Sequence, residues 1–208
     1  FFEISLKNNE YFEFAILTGC MRFTTDGITT GFNNYVCYDI NDFSYADKFG
    51  FTQDEVQSLL AEQGLSDKMD MLQKWYDGYC FGNSHPIYCP CDVIQYVCDL
   101  KVFSETEPQA YWYNSGSHDL VRTFIEKINV LHVGKELATL LQGGTVTEHC
   151  YGSMTYRNFY DTQNFWTDLY FNGYLTKIPQ EKQGNPFKPI ELRIPNRDVY
   201  YIFREEMA

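Results

Sequence analysis

Cations are scarce in this sequence. Only 16 lysines and arginines stand against 28 aspartates and glutamates, a formal net charge of −12, and no run of Lys or Arg reaches three in a row. Sequence-independent attachment to a phosphate backbone rests on clustered cations, so direct nucleic-acid binding by this segment is not expected. Long apolar runs are missing as well. None approaches the ~20 residues that cross a bilayer, and the opening residues lack the basic and small-residue signature of a signal peptide. The cysteines form no CxxC pair: Cys89-Pro90-Cys91, with Cys80 and Cys98 nearby, offers no finger-like spacing to a histidine, which argues against structural zinc. An odd total of 7 without a short disulfide-scaffold layout fits reduced thiols in a cytoplasmic protein. The four histidines, His85, His118, His132 and His149, are scattered and show no metal spacing.

Several catalytic signatures are absent too. A P-loop needs Gly-x-x-x-x-Gly-Lys-Ser/Thr, whose amides cradle phosphates. The single Gly-Lys pair, Gly134-Lys135, is followed by Glu136 and has Asn129 where the first glycine belongs. There is no Gly-x-Ser-x-Gly nucleophile elbow. Gly116-Ser117-His118-Asp119 places suitable residue types side by side, but sequence neighbours do not converge as a triad, and a Ser capping a helix explains them better. Ile190-Glu191-Leu192-Arg193 resembles the Glu-x-Lys half of a metal-dependent nuclease. Arg replaces the Lys and the preceding strand ends without an acid, so an ordinary half-exposed strand is expected.

What the sequence does hold is aromatic residues, 18 % of the chain with 17 Tyr and 17 Phe. That composition builds a core rather than a disordered tail. Phe12 to Gly19 is a nearly continuous apolar run ending in Thr18 and Gly19. It suits a strand buried on both faces of a parallel sheet, whose ligands lie off the carboxyl ends of the strands. On this reading the chain is the later part of a larger α/β module. Thr52 and Glu55 form a capping box before Val56, Leu59 and Leu60, with Gly64 as the stop. Ser66 is expected to cap a second helix carrying Met69, Leu72 and Trp75. That helix runs into Trp75-Tyr76-Asp77-Gly78-Tyr79-Cys80-Phe81-Gly82, read as a structural hinge. Pro90 suits the first position of a third helix, from Asp92 to about Asp99. Ser117 is expected to cap a helix with Leu120, Val121, Phe124, Ile125 and Ile128 inward, followed by a short helix at Leu137–Leu141. Thr145-Val146-Thr147 reads as a strand. A helix over Gln163–Asn172, two strands at Tyr174–Ile178 and Ile190–Ile194, and a last helix capped by Asn196 complete the order. The helix-plus-hairpin portion resembles a winged helix-turn-helix corner, without a basic helix to read DNA.

Taken in order, these segments carry a more specific likeness. Leu17-Thr18-Gly19 with Arg22-Phe23, Gly31-Phe32-Asn33-Asn34, Phe49-Gly50-Phe51-Thr52, Trp75-Tyr76-Asp77-Gly78-Tyr79 with Phe81-Gly82, and Tyr88 with Pro90 resemble the predicted AAA-ATPase-like family. Tyr111-Trp112-Tyr113-Asn114-Ser115-Gly116-Ser117, Gly173-Tyr174-Leu175-Thr176 and Leu192-Arg193-Ile194-Pro195-Asn196-Arg197 continue the likeness. It runs from about Phe12 to Arg204. Cys80, Cys89 and Cys91 stand where the family usually shows a basic residue, Asn and a large aromatic, and Thr25 replaces a frequent Lys. Such proteins are commonly linked to a C-terminal PD-(D/E)XK-type nuclease domain.

The resemblance implies an α/β, helix-rich chain that forms the C-terminal portion of a P-loop NTPase-like module. Residues 1–50 would end the α/β core with a central-sheet strand, 51–144 would form a helical lid, and 145–208 a winged-helix-like helix and hairpin with a terminal helix. The phosphate loop would lie upstream, so no cofactor is expected in this chain, and ATP with Mg²⁺ would belong to the complete protein. Thr18 would be a sensor-type residue, with Arg22, Asn33 and Asn34 as further nucleotide-sensing candidates. No residue is assigned a catalytic role and no metal ligand is expected. The partner would be the remainder of the parent chain or another protein, with no membrane involved. Two classes stay open: an NTPase fragment inactive alone, and a non-catalytic interaction module.

Overall fold

The computed structural model describes residues 11, 13–19, 36–83, 85–115, 121–123, 125–126, 133–150, 162–179 and 188–207. Within them the chain is helix-rich α/β with a small antiparallel sheet. The strand expected at Phe12 to Gly19 is not formed. Residues 13–19 have no regular secondary structure and are exposed, with Phe14, Ile16 and Leu17 among the most exposed large apolar side chains. An apolar run becomes a buried strand only when neighbouring strands pair its amides and helices cover its faces. None of the described elements does so.

Helix α1 spans Gln53–Gln63 and begins as the sequence dictates. The Thr52 amide donates to Glu55 Oε2 at 2.8 Å while the Glu55 amide donates to Thr52 Oγ1 at 3.4 Å, a reciprocal arrangement that satisfies two orphan donors. Gly64 closes the helix in the left-handed region at φ 70°. Ser66 does not cap the next helix. It opens a 3-10 turn, Ser66–Lys68, and α2 follows at Met69–Tyr76 with no side-chain cap. The turn already bonds the first amides, so a cap there is redundant. Helix α3 carries Pro90 at its first position and runs to Val102, one turn beyond the expected end near Asp99, because no breaker intervenes. Val56, Leu60, Leu72, Tyr76, Tyr88, Val93, Tyr96, Val97 and Leu100 close into one core.

A five-residue helix, α4 (Tyr111–Ser115), leads to the second body. That body holds α5 (Gly134–Leu141), β1 (Val146–Glu148), α6 (Thr162–Phe171), β2 (Thr176–Lys177), β3 (Ile190–Arg193) and α7 (Arg197–Glu206). The helix expected from Ser117 falls mostly outside the described residues. The two strands foreseen near residues 174 and 190 pair antiparallel, Thr176 opposite Arg193. The segment beginning at Thr145 adds a third strand, Val146 opposite Leu192, so that β3 is central. Along β3 only Leu192 is fully buried, the half-exposed pattern read from the sequence. Val121, Leu137, Leu140, Trp166, Leu169, Leu175, Leu192, Ile202 and Phe203 form the second core, which extends to Tyr79 and Ile87. Asn196 caps α7 by accepting from the Val199 amide at 3.1 Å.

Candidate functional site

The segment Trp75 to Gly82 joins the two cores. Tyr76 ends α2 fully buried. Its hydroxyl donates to the Gln109 carbonyl at 2.9 Å and accepts from the Gln109 amide at 3.1 Å. Trp75 is only partly covered. Its ring lies flat on Tyr201 of α7, centroids 5.4 Å apart, and the Arg197 guanidinium sits 5.5 Å from its centroid, a stacked and cation–π contact between an α2 aromatic and α7. Asp77 leaves the helix in extended backbone. Burial pushes its carboxyl above the usual range, against the pull of the neighbouring Gly78 amide and Arg193 guanidinium, and Oδ1 is buried without a hydrogen-bond partner. Gly78 is set by geometry. It has φ 118°, and an added Cβ would overlap the Pro195 carbonyl, so only glycine fits both the backbone angle and the close approach. Tyr79 exchanges both backbone hydrogen bonds with Ile87. Its hydroxyl is held neutral by burial.

Polar groups gather on both sides of this seam. On one side the Cys80 amide donates to Thr176 Oγ1 at 2.9 Å, and the buried thiol donates to the Gly78 carbonyl at 3.7 Å. Desolvation raises the thiol, against the pull of the Arg193 guanidinium. Lys177, from the neighbouring strand, is buried. Loss of water drives its amine below the usual lysine range, and the Asp39 carboxylate opposes this.

On the other side lie two buried carboxyls, Asp92 in the first turn of α3 and Asp198 in the first turn of α7. They lie close enough to shift each other's titration, and Asp198 Oδ1 is buried without a hydrogen-bond partner. The Trp112 amide donates to Asp198 Oδ2 at 3.1 Å, and the Tyr113 amide also points at this carboxyl. Burial is the main cause of the upward shift in both, and the Asp92 charge adds to it in Asp198, which is pushed up to about 7. The Cys89 thiol lies beside Asp92. It is pushed up to about 12, first by burial and then by the Asp92 charge. Among the described residues no group of three or more His, Cys, Asp or Glu could hold a metal ion.

Of the nucleotide-sensing candidates, Thr18 is exposed in irregular chain, while Arg22, Asn33 and Asn34 lie outside the described residues. The residues that do converge, Asp92, Asp198 and Cys89 on one side of the seam and Cys80 with Arg193 on the other, had no local signal beyond acids in a helix first turn and a strand-end arginine. The described cysteines are free thiols, and no described helix is long and apolar enough to cross a membrane.

Among known proteins, no family model and no solved structure matches this chain. The chain is similar to a protein of Azotobacter chroococcum mcd 1 described as "Uncharacterized protein in vnfD 5'region", with 24 % identity over 116 residues. The match covers 56 % of this chain and 21 % of that protein, so it spans about a fifth of that relative's length.

Proposed function

We propose that this chain is the helical-lid and winged-helix-like portion of an AAA-ATPase-like protein, supporting nucleotide binding or hydrolysis only together with an upstream P-loop half. The observation that carries this reading is the exposed run of Phe14, Ile16 and Leu17 before Thr18 and Gly19. It combines strand-forming apolar residues with a polar end and has no strand partner among the described residues. Such a segment is completed by a sheet from elsewhere, and its Thr-Gly end is then the edge at which open α/β sheets receive ligands. The seam at Trp75–Gly82 suits this role, because it ties the helical layer to the sheet and α7. In the complete protein, ATP with Mg²⁺ would be the ligand, with Thr18, Arg22, Asn33 and Asn34 on the sensing side.

The test uses the full-length protein. Arg22→Ala should lower ATP hydrolysis at least tenfold, since a guanidinium contributes to phosphoryl transfer by stabilising charge in the transition state. Thermal stability should hardly change if Arg22 faces the nucleotide cleft as the sensing role requires, because an arginine reachable by solvent adds little to folding. Hydrolysis at the parental rate would refute the sensing role. A full-length sequence without Gly-x-x-x-x-Gly-Lys-Ser/Thr upstream would refute the NTPase reading itself. That outcome would favour a non-catalytic interaction module, for which the exposed Ile94, Val102 and Phe103 on and after α3 are the supporting surface.

A further inference from the structure

We propose that the outer face of α3, continued by Phe103, is a docking surface for a basic amphipathic helix of a partner protein. The inner face of α3 is used by the helical core through Val93, Tyr96, Val97 and Leu100. A helix packed on one side ordinarily turns charge to water on the other. Here Ile94, Cys98 and Val102 line the other side at helical spacing, and Lys101 is the only charged residue at an exposed position of α3. Ile94 is 45 % exposed, Val102 89 % and Phe103 62 %. Together they make an apolar strip about 12 Å long, from the 1.5 Å rise per residue, rather than a lone exposed side chain.

Hydrogen bonds fix the end of this strip. The Phe103 amide donates to the Asp99 carbonyl at 2.9 Å. The Thr106 amide and hydroxyl both donate to the Phe103 carbonyl, at 3.1 Å and 2.7 Å. From the core, the Tyr96 hydroxyl donates to the Thr106 carbonyl at 3.1 Å. The turn therefore holds Phe103 and the exposed Glu105 and Glu107 in place, so little ordering is left for a partner to impose. Charge selects the occupant. The two glutamates border the strip at its C-terminal end with Lys101 alone against them, and the whole chain carries −12. A second copy of this chain, or an acidic partner, would bring like charge to that edge. A helix with an apolar stripe of two to three turns, and lysines or arginines where it meets Glu105 and Glu107, matches both the strip and its rim. The docking face holds whether or not the protein binds nucleotide.

Alkylation by iodoacetamide, followed thiol by thiol in the full-length protein by mass spectrometry, reads this face through Cys98, with the exposed Cys37 as reference. The probe is a synthetic helical peptide of about five turns, leucines on one face and lysines on the other, beside the same peptide with glutamates for lysines. Cys98 should be open in the protein alone. The lysine peptide should slow its alkylation about fivefold or more by occupying the face, leave Cys37 unchanged, and outdo the glutamate peptide. Val102→Glu should abolish the protection. Glu105→Lys with Glu107→Lys should transfer it to the glutamate peptide. All three positions are exposed, so these variants should fold. No protection by the lysine peptide up to about 1 mM, or equal protection by both peptides, would overturn the proposal. So would a Cys98 already closed to alkylation. In a monomer that result gives the face to another part of the same protein, and in a dimer dispersed by Val102→Glu it gives the face to a second copy.

Discussion

Replacing Tyr76 with Phe isolates a single oxygen atom at the centre of the helical core. The ring would remain between Tyr96 and Tyr111, whose centroids lie 6.0 Å and 5.9 Å away, so packing is nearly unchanged. What is lost is a reciprocal pair of bonds to one residue, the hydroxyl donating to the Gln109 carbonyl at 2.9 Å and accepting from its amide at 3.1 Å. A net hydrogen bond is worth about 0.5–1.5 kcal/mol, and a stranded buried partner costs more. Gln109 lies at the surface, so water can recover part of the loss, and the expected cost is about 1–2 kcal/mol. Tyr96→Phe is the internal control. It removes one bond, to the Thr106 carbonyl at 3.1 Å, and should cost about half as much. Urea unfolding gives both numbers, with the slope unchanged if only stability is altered. A Tyr76→Phe variant as stable as the parent, or less affected than Tyr96→Phe, would show that the 109 turn is not anchored by this hydroxyl.

Two further outcomes follow from the seam. Gly78→Ala should destabilise by at least about 2 kcal/mol in the same assay, since the φ of 118° and the Pro195 carbonyl both exclude a Cβ; Gly64→Ala, also at positive φ but with open space around it, should cost less. Overall stability should be greater near pH 5 than near pH 8. The Asp198 carboxyl is raised in the fold from 3.8 to about 7, so the stability held by its proton is complete below 3.8 and lost as pH rises through about 7. Asp77 and Glu148, also raised mainly by burial, act in the same direction. Thermal melts at the two pH values check the sign.

Local chemistry was legible in the sequence wherever a signal and its partner lie within a few residues. The Thr52–Glu55 capping box, the Gly64 stop, Pro90 at a helix start and the Asn196 cap all form as the residue types require, since each is satisfied by backbone within one turn. The pairing of the strands near residues 176 and 190 was readable from their apolar pattern, and a strand after Thr145 likewise. What failed was whatever depends on distant chain. Phe12 to Gly19 has the composition of a central strand, but pairing is a property of neighbours, and none of the described elements supplies them. Asp92 and Asp198 each look like an ordinary first-turn acid favoured by the helix dipole. Nothing local to either shows that the folded chain brings them together. The same holds for Trp75, whose helical spacing suggested an enclosed core residue, whereas α7 covers it with Tyr201 and leaves it partly open.

The central claim, that the Phe14–Thr18 segment is completed as a strand by the upstream part of the same protein, is tested most directly by hydrogen exchange on that segment in the full-length protein, with and without ATP and Mg²⁺. A strand paired on both sides should exchange its amides at least about a hundredfold more slowly than unstructured chain, with further slowing near Thr18 when nucleotide is bound. Exchange at the unstructured rate in both conditions would contradict the claim and leave the chain as an interaction module.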